Sequence, residues 1–372
     1  MSANRFFSIC ALACLSAPIC VAQVPASAPK ETTRAADPAD PLTAKAKVAG
    51  QHAHRSLSIE TKKIPSELAE VFSLPPRCDA DGNFYIRTNP EGDEGVRKLN
   101  SKGERVALFQ AKSQDLKVNR PTDFSIGPDG DVYQIVNVWD ISQYVFAYKS
   151  DGSVRSEIKL QTGFRFSPYL VGVFPSGDLL VSGLKYDHDR NNPVTWPFTG
   201  IFSSGGDLRK ELVLEDDQKI DDLAASGDPK VASVQNPSFN HAVSQGAMAT
   251  AQDGNVYLMR RLSPAIFYAI SAGGEVVRRF TVDSGEESFM PVTMHIAGSR
   301  IAVLFRQEQT RKEIIKVIDL EGHEVATYDE PVKDGRPALG MAFVCYTNNP
   351  EEFTFLTNME NDRLGLVIAS PR

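Results

Sequence analysis

Gly127-Pro128-Asp129-Gly130-Asp131-Val132-Tyr133 reads as a tight turn running into a β-prone strand. The chain repeats it three more times. The other copies are Asp79-Ala80-Asp81-Gly82-Asn83-Phe84-Tyr85, Phe174-Pro175-Ser176-Gly177-Asp178-Leu179-Leu180 and Ala251-Gln252-Asp253-Gly254-Asn255-Val256-Tyr257. Asp-Gly or Ser-Gly supplies the positive φ that such a turn requires. The turn glycines are spaced 130−82 = 48, 177−130 = 47 and 254−177 = 77. A period in the forties carrying β-hairpins points to a propeller.

Each turn is followed some way on by a second one, at Asn100–Glu104, Lys149–Ser153, Ser203–Asp207 and Ser271–Glu275, with apolar strands on either side. Two hairpins per period make four strands, which is one blade. A weaker fifth copy runs through Met294–Phe305, its turn lacking the Asp, with a second turn at Asp319–His323. A sixth contains Met341–Tyr346, Phe353–Leu356 and Leu364–Ala369, and is one strand short. Ser56–Thr61 alternates polar and apolar residues, as a half-buried strand does. The expected fold is therefore all-β, a six-bladed propeller of four-stranded antiparallel blades over residues 56–372, closed into a ring by that N-terminal strand. Closure removes exposed edges.

The stretch Pro121–Tyr133, with the later Tyr148-Lys149-Ser150-Asp151-Gly152, resembles an NHL-type repeat, and the whole resembles the six-bladed propellers of the TolB-like class. The sharp motif holds in four blades, and Asn137 stands near the place where NHL repeats commonly carry Asp. The resemblance implies that the glycine turns share one face. It also implies that ligands sit on the other, at the mouth of the central channel, among the loops between second and third strands and between blades.

Outside the repeat, Arg5 precedes an apolar stretch, Phe6–Ala22, that ends in small residues. This is the pattern of a secretory signal, expected over residues 1–22. Residues 23–55 are rich in Ala and Pro, poor in large apolar side chains, and expected to form a flexible linker. The pair His52 and His54 lies at its end and reads as a solvated pair or a weak metal site. The mature chain is expected to have no transmembrane segment and to be secreted or periplasmic. Its two remaining cysteines, Cys78 and Cys345, fall on the innermost strands of the first and sixth blades, which a closed ring makes neighbours. They are either a disulfide or two buried thiols.

The net charge of −7 gives no basic footprint for nucleic acid. No Gly-x-Ser-x-Gly elbow, phosphate-binding loop or His-Glu-x-x-His run occurs. Three places draw attention as candidate ligand contacts. In the third blade, Tyr186, Asp187, His188, Asp189, Arg190 and Trp196 lie in a long polar loop, which is either a metal or acid–base cluster or a solvated loop anchored by Trp196. The 77-residue spacing marks an insertion at about 214–245, with a short helix expected near Ile220–Ala224 and His241 where the chain re-enters the ring. Counting seven places on from the turn glycine gives Asn89, Asn137 and Arg261, and aligning the fifth blade by its apolar run adds Arg306. Arg261 and Arg306 on adjacent blades can hold a carboxylate or phosphate, or pair with nearby acids. The sequence thus points to a binding or scaffold protein for a protein, peptide or glycan, with no cofactor. The alternative is a lactonase-like hydrolase or a lyase holding Ca²⁺ or Zn²⁺ at the channel mouth.

Overall fold

The structure, a computed structural model, describes residues 53–63, 72–88, 95–138, 142–187, 194–214, 242–333, 336–340, 342–358 and 364–372. All lie within one compact unit, Lys45–Arg372. The expected signal, most of the linker with His52, and the helix expected in the insertion fall outside the described residues.

After strand β1 (Leu57–Lys63), the chain builds blades in order. Blade 1 is β2 (Phe72–Cys78), β3 (Phe84–Thr88), β4 (Gly95–Leu99) and β5 (Arg105–Gln110). Blade 2 is β6 (Val118–Ile126), β7 (Val132–Val138), β8 (Gln143–Tyr148) and β9 (Val154–Lys159). Blade 3 is β10 (Arg165–Val173), β11 (Leu179–Asp187), β12 (Val194–Phe202) and β13 (Leu208–Leu212). Blade 4 is β14 (Ala247–Thr250), β15 (Val256–Arg260), β16 (Ala265–Ile270) and β17 (Val276–Val282). Blade 5 is β18 (Phe289–Ala297), β19 (Arg300–Gln307), β20 (Glu313–Asp319) and β21 (Glu324–Asp329). A two-strand ribbon, β22 (Val332–Lys333) and β23 (Arg336–Pro337), leads to β24 (Ala342–Asn348), β25 (Glu351–Asn358) and β26 (Leu364–Pro371). The sixth sheet runs β1-β26-β25-β24, with Leu57 opposite Pro371 and Lys63 opposite Gly365. Six sheets of four antiparallel strands, arranged as a ring, make a six-bladed propeller.

The turn glycines act as their sequence demands. Gly82 and Gly130 both have φ of 75°, a region that residues with a Cβ rarely enter. The cores lie between blades. Tyr133, Ile135 and Val145 of blade 2 pack with Val171, Val181 and Phe198 of blade 3. Phe267 and Met259 of blade 4 pack with Ile301 and Val303 of blade 5. The first and last blades meet through Phe84, Ile86, Ala342, Val344 and Leu356.

The repeated tyrosines are explained by the turn face. Tyr85 donates to Asp79 at 2.9 Å, and Lys98 meets the same carboxylate at 3.3 Å. Asp131 pairs with Arg155 at 2.5 Å, and Arg155 also donates to the Tyr133 hydroxyl. Asp178 pairs with Arg209 at 2.6 Å, and Asp253 takes both Tyr257 and Arg278. In each of these four blades a turn carboxylate ties the first hairpin to a cation on the third or fourth strand. Burial, then the Asp79 charge, raises the Tyr85 hydroxyl far above its ordinary value, so it stays protonated. These are blade-locking contacts on buried rings.

Candidate functional site

Cavities open at both ends of the channel. On the turn face, a cavity of about 820 Å³ is lined by Asp79, Asp81, Gly127, Asp129, Gln252, Gly298 and Asn348 among others. Blade 3 contributes none of its described lining, and Asp79 is already engaged by Tyr85 and Lys98. The second cavity, about 440 Å³, lies toward the opposite, loop-bearing face and is lined from all six innermost strands.

Bulges build this second cavity. Pairing skips residues 74–76 in β2, Thr122 and Asp123 in β6, Tyr169 in β10, Val292 in β18 and Val344 in β24. Pro75, Pro76, Thr122, Asp123, Tyr169 and Val292 all line the cavity, as does Phe343 beside the last bulge. An extra residue bends the strand and re-aims side chains. The short β14 lacks a bulge, and Ser244, Gln245 and Gly246 ahead of it supply that blade's wall. Proline, which cannot donate to the ladder, is tolerated at such irregularities. Pro121, Pro168 and Pro291 each immediately precede a bulge.

Arg77 forms the floor. Its Nη2 donates to Asp123 Oδ1 on blade 2 at 2.9 Å, and its Nη1 to the Met248 carbonyl on blade 4 at 2.9 Å. Blade 4 faces blade 1 across a ring of six, so the guanidinium crosses the channel. Asp123 Oδ2 accepts from the Val171 amide of blade 3 at 3.1 Å. Arg77 also lies over the Phe124 ring at 5.3 Å. Nearby, His295 is buried with Nε2 3.1 Å from the Phe343 carbonyl. Burial first, and the Arg77 charge as well, push its pKa down to about 4 against the pull of that hydrogen bond.

Arg87, Arg261 and Arg306 complete the cationic wall. Arg87 Nη1 donates to the Thr122 carbonyl at 2.7 Å, and Arg261 Nε to the Pro291 carbonyl at 2.9 Å. Arg306 Nε donates to Glu313 Oε1 at 2.6 Å, across one rung of the β19–β20 ladder. Burial, with the Arg306 charge beside it, lowers the Arg261 pKa, opposed by Glu308. The sequence reading of Arg261 and Arg306 thus falls on one cavity, although Arg306 also has the acidic partner that the alternative supposed.

The other expected contacts divide. Tyr186, on β11, hydrogen-bonds Ser167 Oγ at 3.0 Å and also Tyr169, which lines the cavity. Burial and Tyr186 raise the Tyr169 hydroxyl to about 12. Trp196 is half-buried on β12, opposite Lys185. Asp187 ends β11, and His188, Asp189, Arg190 and His241 lie outside the described residues. Asn137 pairs across to Gln143, and Asn89 lies outside the described residues. Arg77, Arg87, Asp123 and Tyr169 were missed, although a signal existed. Counting seven places back from the turn glycine gives Pro75, Asp123, Leu170 and Ala247, all lining residues.

Away from the cavity, His54 meets Asp329 at 2.9 Å with Glu286 nearby, the described group closest to a metal-binding set. Its members are exposed or half-exposed, and Glu286 is also within 3.3 Å of Lys312. Cys78 and Cys345 are joined as a disulfide with Cα atoms 5.3 Å apart.

Glu313 gives a pH prediction. It is buried, its backbone amide donates to Glu330 at 2.9 Å, and burial raises its pKa to about 7 against the pull of Arg306, with Glu330 adding to the rise. A raised folded pKa contributes stability that is complete below the unfolded value, about 4.5, and is lost as pH rises through about 7. His295 works the other way: its contribution is present above about 6.5 and lost as pH falls toward about 4. Replacing Glu313→Gln removes only the first slope. The variant's stability relative to the native chain is expected to rise between pH 4.5 and 7, by at most about 1.4 kcal/mol per pH unit, and then level off. Urea unfolding at a series of pH values measures it, and a constant difference would contradict it.

Comparison with known proteins adds the fold alone. No family of known proteins matches the chain, and no curated protein does. Among solved structures, a Bacteroides fragilis protein provisionally described as exported matches 85% of this chain and 95% of its own, with TM-score 0.52 and 10% identity. A protein provisionally described as a gluconolactonase covers 85% of this chain and 93% of its own, at TM-score 0.49 and 12% identity. One provisionally described as TolB, from Agrobacterium tumefaciens, covers 74% and 89%, at 0.42 and 13%. Among the described residues no helix is long and apolar enough to cross a membrane.

Proposed function

We propose that this protein is an exported binding or scaffold propeller that recognises part of a protein, peptide or glycan in the loop-face cavity. The observation that carries the reading is convergence: all six innermost strands supply that wall, and bulges in four of them turn skipped residues into it. Concave sites with a few placed polar groups in an otherwise apolar wall are where ligands bind. Export is supported by the basic, apolar and small-residue order of residues 1–22. A structural neighbour provisionally described as exported agrees with it. The glycine-turn motif of blade 2 supports grouping the repeat with the NHL type.

A lactonase-like metal site would need carboxylate, amide or imidazole donors from several blades. Asp123 is the one carboxylate among the described lining residues, and it is held by Arg77 and the Val171 amide. Four arginines around it oppose a cation. The donor set does not fit, and no catalytic step is drawn through a metal.

The test fills the cavity. Val292 sits on a bulge and is half-buried, so Val292→Trp puts bulk into the opening at modest cost to the core. Native protein and variant are screened by thermal shift against envelope peptides, neutral and acidic oligosaccharides and small organic ions. At least one ligand is expected to stabilise the native chain and not the variant. Equal responses from both across the panel, or metal-dependent lactone hydrolysis by the native chain, would defeat the proposal.

A further inference from the structure

We propose that His54, Glu286 and Asp329 form a Zn²⁺ site on the rim of the propeller, and that the ion pins the segment leading into β1 to the outer edge of blade 5. The site is separate from the binding reading above, since none of the three residues lines either cavity.

Geometry is the first ground. One ligand atom from each of the three side chains lies within 4.8 Å of the other two, and no other such trio of His, Cys, Asp or Glu occurs among the described residues. His54 Nδ1 and Asp329 Oδ1 are 2.9 Å apart. A tetrahedral zinc shell with bonds of about 2.0–2.2 Å sets neighbouring ligand atoms about 3.3 Å apart. Glu286, on a half-exposed side chain, closes the remaining distance by rotation about its own bonds.

The backbone is the second. The three ligands come from separate parts of the chain: His54 precedes β1, Glu286 lies in the connection from β17 to β18, and Asp329 ends β21. The Arg55 amide donates to the Thr327 carbonyl at 2.8 Å, and the Asp329 amide to the Arg55 carbonyl at 3.1 Å. This is a parallel bridge between Arg55 and Tyr328 on the outer edge of blade 5. His54 stands one residue before one bridge partner and Asp329 one residue after the other. Main-chain bonds therefore hold these two ligands side by side before an ion arrives, which lowers the ordering cost of binding.

The donor set selects the ion. An imidazole nitrogen suits Zn²⁺ and carboxylates accept it, whereas Ca²⁺ and Mg²⁺ take shells of oxygen. Two carboxylates match the charge of the ion. The three side chains are 35–44% exposed, so water reaches the remaining coordination place. Cys78 and Cys345 are bridged and offer no competing thiolate. One group opposes the ion: Lys312 Nζ lies 3.3 Å from both Glu286 oxygens. It holds Glu286 in the absence of metal and repels a cation placed there.

Zinc chloride titrated calorimetrically into the untagged, metal-stripped exported chain is the test. One ion per chain is expected to bind saturably, and calcium in about hundredfold excess should not displace it. His54→Ala, Glu286→Gln and Asp329→Asn should each weaken binding by at least about tenfold, no less than the loss of an outer-shell partner costs. Lys312→Met should strengthen it by roughly threefold, the worth of one exposed ion pair. A gain of affinity does not arise from misfolding. His323→Ala removes an exposed imidazole that meets Asp319 at 3.1 Å, and should change nothing. Bound zinc should also slow hydrogen exchange at the Arg55 and Asp329 amides of the native chain and leave His54→Ala unaltered. No zinc binding at about 100 µM would overturn the inference. So would affinity indifferent to Glu286→Gln or Asp329→Asn, weaker binding by Lys312→Met, or a loss from His323→Ala as large as that from His54→Ala. Exchange unaltered by bound zinc would overturn the pinning of the segment.

Discussion

Replacing Arg77→Met is expected to cost about 3–5 kcal/mol of folding stability, the usual loss when one member of a buried ion pair is removed. The reason lies in what Arg77 joins. It starts on blade 1 and binds Asp123 of blade 2 and the Met248 carbonyl of blade 4, while Asp123 takes the Val171 amide of blade 3. One side chain therefore holds four innermost strands in mutual register around the axis. Asp123 is 2% exposed, so the substitution leaves its carboxylate buried and without its cation. Methionine keeps most of the aliphatic volume, which isolates the electrostatic loss from a packing loss. The double substitution with Asp123→Asn should recover part of the deficit, because a neutral amide costs less to bury than an unpaired carboxylate. Urea unfolding of the four members of this cycle measures the coupling. A single-variant loss below about 1 kcal/mol would show that Arg77 is only another surface-like contact.

How much of this was legible in the sequence follows from the range of each interaction. The blades are local. Each needs a glycine at positive φ, a polar turn and alternating apolar strands within a few dozen residues, and Gly82, Gly130, Gly177 and Gly254 announce them. The cavity is not local, since its wall is assembled from six stretches spread over the chain. Arg261 was reachable by counting forward from the turn glycine, and Arg306 by aligning the apolar run of the fifth blade. Arg77 and Asp123 sit before the glycine, and only Asp123 stands on the seven-place count; Arg77 stands five places from Gly82, beyond the bulge of its strand. Residues 74–76 oppose one residue of the partner strand in blade 1, whereas Tyr169 alone is extra in blade 3. Symmetry of fold therefore does not carry over to symmetry of numbering. The prolines were the available warning. Pro121, Pro168 and Pro291 stand in innermost strands, where a regular ladder would exclude them.

Loss of the Cys78–Cys345 bridge is the second large effect expected, at about 2–5 kcal/mol. The bridge joins the innermost strands of the first and sixth blades across 267 residues of sequence. Cross-linking so long a loop removes much of the freedom of the unfolded chain in the chain-entropy account, and the cost of opening grows only slowly with length. The native ring should still form without it. Phe84, Ile86, Leu99, Ala342, Val344 and Leu356 pack across the same seam, and a Cys78→Ala, Cys345→Ala chain keeps all of them. The expected result is a folded double variant with a lower urea midpoint and a dependence on denaturant that is equal or steeper, because the unfolded chain without the cross-link is more expanded. Dithiothreitol should lower the midpoint of the native chain toward that of the variant and leave the variant unmoved. A non-reducing digest should recover the Cys78 and Cys345 peptides as one mass. Separate peptides from exported protein would refute the clasp. A midpoint unchanged by both substitutions would instead show that packing alone holds the seam.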